Sequence, residues 1–189
     1  MEIEETALRD VKIIKPKKFG DTRGFFSEVW NAKNLADAGI REQFVQDNHA
    51  FSAEKGTLRG LHYQLSPNAQ GKLVRVTRGV ALDVAVDIRK GSPTFGKYVA
   101  VELSAENWLQ LWVPPGFAHG YCTLTENVEF LYKVTGNYSP AHEAGIIWND
   151  PDIAIDWRLD GSDVILSEKD QILPTLSEQD KLFDYGDFS

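Results

Sequence analysis

The residues best suited to chemistry in this chain are two histidines, His62 and His119. His62 follows Arg59 in the run L-R-G-L-H-Y-Q and precedes Lys72. Imidazole is the side chain that takes up and releases protons near neutral pH. A single histidine inside a β protein is equally often a structural residue, so the neighbouring cations carry the argument. This combination predicts proton transfer on an anionic ligand.

Gln64 weighs against a metal ion beside His62. The turn P-P-G-F-A-H that ends at His119 resembles a turn of small β-barrels of the cupin type. Metal-binding barrels of that type usually carry two histidines and a carboxylate in their first motif. Here glutamine occupies the position of the second histidine, and no acid follows within the next few residues. We therefore expect a site without a metal.

The charge balance limits the classes of ligand that the chain can bind. The 189 residues include 28 acidic and 20 basic side chains, which gives a formal net charge of −8. Such a surface repels nucleic acid and anionic membranes, so we expect neither as a partner. Arg23, Arg59 and Lys72 together favour an anion in one cleft, although each of them alone is more readily explained as a solvated surface charge.

Length and terminal composition indicate one domain in the cytoplasm. A chain of this length suits a single domain, residues 1–189. No apolar run approaches the roughly 18 residues that span a bilayer, and the acidic N-terminus lacks the regions of a secretory signal. Cys122 is the only cysteine, so no intrachain disulfide is possible and nothing demands an oxidising compartment.

Alternating apolar and polar residues predict an all-β protein. In 80–88 the even-numbered residues from Leu82 to Ile88 are apolar and share one face, while Asp83 and Asp87 lie on the other. Further strands are predicted at 58–64, 73–78, 98–103, 109–113, 120–124, 129–134 and 145–148. Many short strands at such spacing are typical of a sandwich or barrel. Helix is predicted only near the ends, at 31–38 and in short capped turns that begin at Ser167 and Ser177.

The same alternation predicts which side chains face the barrel interior. His62 and Gln64 share one face of their strand, and Arg59 lies on the other. Arg59 would then reach a ligand only from the barrel mouth or through a bend at Gly60. In 129–133 the side chain of Tyr132 points to the other face of its strand from the residues on either side of it. A buried tyrosine at such a position either caps the core or donates a proton.

Two further segments can be interpreted either as ligand-binding or as purely structural. In 19–28 an arginine stands among glycines and phenylalanines, which suits stacking on a base or sugar with a contact to phosphate. An ordinary aromatic hairpin is the alternative, and the pattern alone favours it. The polar run 46–49 is able to hydrogen-bond a sugar or base edge, and a loop explains it equally well.

Several motifs in order make the chain similar to the dTDP-4-dehydrorhamnose 3,5-epimerases. They include F-G-D-x-R-G-F-F-x-E at 19–28, F-V-Q-D-N-H at 44–49, L-R-G-L-H-Y-Q at 58–64, Q-G-K-L-V-R at 70–75, P-x-G-F-A-H-G at 114–120, E-F-L-Y-K at 129–133 and L-S-E-K-D at 166–170. The resemblance implies a cupin-type jelly-roll β-barrel with short peripheral helices, mainly near the C-terminus. It covers about residues 3–175 and leaves a tail at 176–189.

The resemblance also implies the roles of individual residues. His62 would remove protons from C5 and C3 of the sugar, Asp170 would orient its ring, and Tyr132 would return protons from the opposite face. Lys72 would stabilise the enolate. Contacts to the nucleotide sugar are implied for Arg23, Glu28, Gln46, Asp47, Asn48, Arg59, Lys72, His119, Glu143 and Lys169, with Phe19, Phe26 and Tyr138 as weaker candidates for packing on the thymine or sugar.

The family resemblance further implies a homodimer with an exchanged N-terminal segment, no metal and no cofactor. Three alternatives stay open from the sequence. A relative that inverts only C3 or only C5 of a related dTDP-4-keto-6-deoxy sugar retains the same histidine and tyrosine. A metal-dependent cupin enzyme requires further ligands near the two histidines. A non-catalytic sugar-binding barrel requires neither His62 nor Tyr132 for its role.

Overall fold

The computed structural model describes residues 1–160 and 163–188, and strands dominate this part of the chain. The strands before residue 88 are β1 Glu2–Glu5, β2 Lys12–Lys15, β3 Lys18–Asp21, β4 Gly24–Ser27, β5 Gln46–Ser52, β6 Leu58–Gln64, β7 Lys72–Arg78 and β8 Val80–Asp87. The later strands are β9 Arg89–Lys90, β10 Tyr98–Ser104, β11 Gln110–Val113, β12 Phe117–Thr123, β13 Val128–Val134, β14 Glu143–Gly145 and β15 Phe183–Asp184.

Two large antiparallel sheets pack face to face. One has the order β1-β2-β11-β7-β13-β5 and the other β10-β8-β12-β6-β14. A hairpin of β3 and β4 and a parallel pair of β15 with β9 lie outside them. The predicted all-β jelly roll of the cupin type is therefore confirmed. No helix within the described ranges is long and apolar enough to cross a membrane.

Strand β8 shows why the two faces of the second sheet differ. Its residues Leu82 and Val84 are fully buried against the C-terminal segment, whereas Ala81 and Ala85 face the interior between the sheets. Burying one such aliphatic side chain contributes about 1.5–3 kcal/mol, and a one-residue slip would turn the whole set over. The predicted alternation of β8 is confirmed, and it places Asp83 in the interior.

The helical segments are short, as predicted. One of them is an α-helix, whereas those near the C-terminus are 3-10 turns. Helix α1, Ala32–Asp37, begins where the Asn31 side chain accepts the backbone N–H of Asn34, and Gly39 follows its end with a φ of 88°. Further helical segments within the described ranges include 3-10 turns at Pro140–His142, Asp170–Ile172 and Tyr185–Phe188.

The two predicted capping boxes have different outcomes. The Ser167 hydroxyl does accept the backbone N–H of Asp170, at 3.2 Å. The box predicted at Ser177 is wrong, because Glu178 instead accepts the backbone N–H and the hydroxyl of Thr175.

Alternation missed most of the N-terminal strands. Strands β1 to β4 have only four residues each, which is too short for a period to be recognised. Strand β5 is polar because it forms the edge of its sheet, with only Ser52 buried. Strand β14 ends at Gly145, where the prediction began it, since only 143–145 pair with β6.

Candidate active site

A cavity of about 470 Å³ lies between the two sheets above the interior core. Seven side chains implicated by the sequence line it: Arg59 and His62 of β6, Lys72 of β7, His119 of β12, Tyr132 of β13, Lys169 just before the 3-10 turn and Asp170 within that turn. Its floor is apolar, with Phe130 and Tyr121 stacked at 3.9 Å between ring centroids. A buried apolar floor strengthens electrostatic interactions above it.

The imidazole of His62 is paired with a buried carboxylate. Its Nε2 atom lies 2.6 Å from Oδ1 of Asp170. Burial opposes ionisation of Asp170, but the hydrogen bond and charge of His62, together with the Ser167 hydroxyl, hold the pKa of Asp170 below its usual value. The carboxylate is thus ionised and orients the ring, as in other His–Asp pairs.

A β-bulge brings Arg59 to the same face as His62. Strand β12 pairs His119 with His62 but Tyr121 with Arg59, so Gly120 of β12 alone faces both Gly60 and Leu61 of β6. The predicted alternation is therefore wrong at the start of β6: Leu58 joins the outer core and Arg59 lines the cavity. Gly60 allows the bend, with a φ of 121°.

Burial shifts the pKa values of both Lys72 and Tyr132. Burial lowers the pKa of Lys72 to about 8, against the opposing charges of Asp83 and Glu143. Its Nζ atom lies 3.5 Å from the backbone oxygen of His62. Burial raises the pKa of Tyr132, and Arg59 offsets only part of that rise. Tyr132 therefore keeps its proton at neutral pH.

A second His–Asp pair lies deeper in the same cavity. Nε2 of His119 lies 2.8 Å from Oδ1 of Asp83, which is fully buried. Burial lowers the pKa of His119 and raises that of Asp83, while each partner's charge works against the shift of the other. Sequence analysis did not select Asp83 as a site residue, although a carboxylate among the interior-facing residues of β8 was the available signal.

The cavity continues into a second space of about 320 Å³ at the barrel mouth. Its polar lining includes Gln46, Asn48, Gln64, Tyr138 and Glu143. Across this mouth the Tyr138 hydroxyl donates to Glu143 Oε2 at 2.9 Å.

A salt bridge closes the same side of the mouth. Lys169 Nζ lies 2.5 Å from Glu143 Oε1. Burial would raise the pKa of Glu143, but the hydrogen bonds from Lys169 and Tyr138 lower it overall. The predicted contact residues Glu143 and Lys169 are thus held together beside Asp170.

Comparison with known proteins matches this geometry to one family. Residues 5–178 match the sequence model of a family described as dTDP-4-dehydrorhamnose 3,5-epimerase. A dTDP-4-dehydrorhamnose 3,5-epimerase of Sinorhizobium fredii is 53% identical, over 98% of this chain and 94% of its own length. The chain belongs to the dTDP-4-dehydrorhamnose 3,5-epimerase family.

Solved structures agree with membership of the epimerase family. The crystal structure of dTDP-6-deoxy-D-glucose-3,5-epimerase from Legionella pneumophila, in complex with dTDP-4-keto-L-rhamnose, is 50% identical with a TM-score of 0.93, over 97% of this chain and 98% of that one. The 3'-monoepimerase ChmJ from Streptomyces bikiniensis, in complex with dTDP-quinovose, is 31% identical with a TM-score of 0.90, over 97% and 94%. The fold is thus shared by single and double epimerases.

Some residues expected from the epimerase resemblance do not meet in this cavity. Arg23, Phe19 and Phe26 lie on the exposed hairpin of β3 and β4, where Arg23 pairs with Asp21 at 2.5 Å. Glu28, just beyond the hairpin, is also exposed and accepts a hydrogen bond from Asn34 at 3.2 Å. Within one chain these four side chains lie outside both spaces of the cavity.

Asp47 also faces away from the cavity of this epimerase family member. Its neighbours Gln46 and Asn48 line the mouth. The Asp47 carboxylate instead accepts a hydrogen bond from Lys133 at 2.7 Å, beside an outer groove that Trp30 also lines. Strand alternation separates the two faces of β5, so a contact from Asp47 inside the cavity would have to come from its backbone.

No metal cluster accompanies the epimerase site in the part of the chain that the structure describes. There, no group of three or more histidine, cysteine, aspartate or glutamate side chains is arranged to hold a metal ion. Both histidines of the cavity are instead hydrogen-bonded to carboxylates. That the enzyme needs no metal or cofactor stays a prediction.

Proposed function

We propose that this chain is a dTDP-4-dehydrorhamnose 3,5-epimerase. It converts dTDP-4-dehydro-6-deoxy-D-glucose into dTDP-4-dehydro-L-rhamnose for dTDP-L-rhamnose biosynthesis. The observation that carries the proposal is the convergence of the His62–Asp170 pair, Lys72 and Tyr132 on one cavity. Membership of the epimerase family supplies the substrate class.

The reaction at each carbon is a proton removal followed by a proton return. His62 accepts the proton from C5, and the electrons of the C–H bond form the C4–C5 double bond of an enolate. The negative charge moves to the C4 oxygen, where protonated Lys72 stabilises it. Tyr132 then donates its proton to C5 from the opposite face, which restores the ketone with inverted configuration. The same steps at C3 complete the conversion, after solvent has restored both side chains.

The catalytic groups contribute to the rate by different amounts and in different ways. General acid–base help of this kind is worth about 10²–10⁴-fold in rate, and one fixed group at a developing oxyanion is worth about 10²–10³-fold. Asp170 acts through His62, because it is hydrogen-bonded to the ring and does not face C5 in this scheme. Burial of Tyr132 favours its protonated form, which suits a donor.

The nucleotide part of the substrate explains the cations. A diphosphate is anionic, so a protein of net charge −8 needs local cations to hold it. Arg59, Lys72 and Lys169 line the reaction cavity, and Lys169 also forms the salt bridge with Glu143 at its mouth. We assign further contacts to Gln46, Asn48, His119 and Glu143, with Tyr138 packing on the thymine or sugar.

We further infer a homodimer in which the N-terminal hairpin serves the partner's cavity. The exposure of Phe19, Phe26 and Arg23, of which the two phenylalanines are 54% and 69% exposed, supports this inference. Glu28 would act in the same way. The working unit is one domain per chain in the cytoplasm, with residues 176–189 as its tail.

Incubation with dTDP-4-dehydro-6-deoxy-D-glucose in D₂O tests the function. We expect deuterium at both C3 and C5, detected by mass spectrometry and NMR, and none at either carbon with His62→Ala. Deuterium at one carbon only would replace the proposal with a single-site epimerase. Binding without any incorporation would indicate a sugar-binding barrel. A stoichiometric transition metal, with activity lost on chelation, would indicate a metal-dependent enzyme.

A further inference from the structure

Gln64, which occupies the position of the second histidine of metal-binding barrels, has its side-chain amide fully hydrogen-bonded to backbone groups. Its Nε2 atom donates to the carbonyl oxygens of Asn68, at 2.7 Å, and Asn137, at 3.1 Å. Its Oε1 atom accepts the backbone N–H of Ser139 at 2.7 Å. A primary amide offers two N–H donors and one carbonyl oxygen, so every polar atom of this buried residue is used.

The groups that Gln64 bonds at Asn137 and Ser139 lie on either side of Tyr138. Residues 135–139 belong to no strand, so no sheet ladder holds their backbone. Partly buried backbone groups outside a ladder need other partners, and Gln64 supplies them before and after the tyrosine. The Tyr138 ring itself is 57% exposed at the cavity mouth. Its position therefore depends on the backbone that Gln64 holds and on the hydrogen bond from its hydroxyl to Glu143.

We propose that Gln64 is a positioning residue that holds Tyr138 at the cavity mouth and so sets the affinity for the nucleoside diphosphate part of the substrate. The inference rests on the proposed function, in which Tyr138 packs on the thymine or sugar. Gln64 itself makes no proton transfer in this scheme. Its loss should therefore weaken binding while leaving the chemical step nearly intact.

The side-chain chemistry explains why glutamine suits this position. A neutral histidine has one donor and one acceptor nitrogen and cannot bond two carbonyls and an amide at once. Glutamate retains the acceptor for Ser139 but leaves the carbonyls of Asn68 and Asn137 without their donor. Methionine has similar length and flexibility and no amide group, so Gln64→Met removes the three bonds with little change in volume.

The first test separates binding from catalysis. For Gln64→Met we expect the KM for the sugar nucleotide and the Kd for dTDP, measured calorimetrically, each to rise about tenfold, while kcat changes less than about threefold. Gln179→Met is the matched control, because the Gln179 amide also bonds backbone groups, those of Gly145 and Lys181, and neither belongs to the segment around Tyr138. A fall in kcat at unchanged KM would overturn the proposal, as would equal effects of the two substitutions.

A double-mutant cycle tests whether Gln64 acts through Tyr138. Tyr138→Ala should raise the Kd for dTDP, and adding Gln64→Met to it should cause less than about a twofold further rise. A full additional tenfold rise would overturn the proposal. A wild-type protein that binds dTDP but incorporates no deuterium would contradict the proposed function alone, since the dTDP measurements need no catalysis.

Hydrogen exchange of the unmodified protein covers the case in which Gln64→Met does not fold. The Ser139 amide lies outside any strand and donates to the Gln64 side chain, so we expect it to exchange at least about 100-fold more slowly than in an unfolded peptide. Exchange at the unfolded rate would mean that Gln64 does not hold this segment and would overturn the proposal.

Discussion

Nε2 of His62 lies 2.6 Å from Oδ1 of Asp170, although 108 residues separate them in the chain. Strand β6 holds the histidine between β12 and β14. The aspartate begins a 3-10 turn, and its backbone N–H donates to the Ser167 hydroxyl. The ring is thereby fixed through Nε2, which leaves Nδ1 as the nitrogen that can accept a proton. The pair makes His62 a base of defined orientation.

Replacing Asp170 by asparagine should lower kcat by about 10²–10⁴-fold. Asparagine keeps the size of the side chain but cannot stabilise a protonated imidazole at His62. Steady-state kinetics and deuterium incorporation at C3 and C5 measure the loss. An Asp170→Asn enzyme with wild-type kcat would show that the carboxylate is only structural.

The stability effect of Asp170→Asn should depend on pH. The folded protein holds the pKa of Asp170 below its usual value. Its stabilisation is therefore fully present above the unfolded pKa of about 3.9 and is lost as the pH falls through the lower folded pKa. Urea unfolding of both proteins should show a gap in the free energy of unfolding at pH 7 that narrows below about pH 4. An equal gap at pH 7 and pH 3 would refute this linkage.

Lys72 should set the alkaline limit of activity. Because its pKa is about 8, Lys72 loses its proton as the pH rises through that value. The neutral amine then no longer stabilises the negative charge of the enolate. We expect kcat/KM to fall above about pH 8 in the wild type. Lys72→Arg should move this fall in kcat/KM to higher pH, because the guanidinium group has a pKa above 12 and stays charged. This shift is expected whatever the maximal rate of the Lys72→Arg enzyme.

Lys72→Met provides the complementary control for the enolate role. It should lower kcat by about 10²–10³-fold. Because methionine carries no charge, the fall of kcat/KM at alkaline pH should also disappear. A fall near pH 8 that survives unchanged in Lys72→Arg would assign it to another group.

Tyr132→Phe should separate inversion from exchange. Proton removal by His62 does not need the phenol, but return from the opposite face does. We expect inversion to fall by about 10²–10⁴-fold, while deuterium exchange on the original face continues. NMR of the sugar distinguishes the two outcomes, and an equal loss of both would contradict a purely acidic role.

Tyr98→Phe is a suitable control for Tyr132→Phe. Its hydroxyl accepts the backbone N–H of Asp156, on the outer side of the second sheet and away from the cavity. Both inversion and exchange should stay near wild type in this variant.

Gly60→Ala should damage both stability and activity. A Cβ atom there would lie 2.6 Å from the Gly120 Cα and 2.8 Å from the His119 carbonyl oxygen, at a φ of 121°. The bulge that turns Arg59 toward His62 would have to rearrange. We expect a loss of at least about 1–3 kcal/mol in the free energy of unfolding, measured in urea, together with a fall in kcat/KM.

Gly91→Ala controls for backbone strain alone. Gly91 has a φ of 82°, but no atom lies within 4 Å of an added Cβ. This substitution should cost only about 1–2 kcal/mol and leave kcat/KM unchanged. Equal losses of activity in the two variants would contradict a role for the bulge.

Local sequence determined those features that depend on short periods and short motifs. The faces of β8, the β character of most later strands and the short helix that stops before Gly39 follow from neighbouring residues. Ordered motifs were also specific enough to indicate the family and, through it, the pairing of His62 with Asp170.

Only the tertiary structure decided how those pieces meet. The bulge against β12 reversed the predicted face of Arg59, and the pairing of β8 with β12 placed Asp83 under His119. Gln64 acquired its three backbone partners from two loops. The physical reason is that strand parity is a two-residue local property, whereas register, bulges and loop contacts depend on residues far away in the chain.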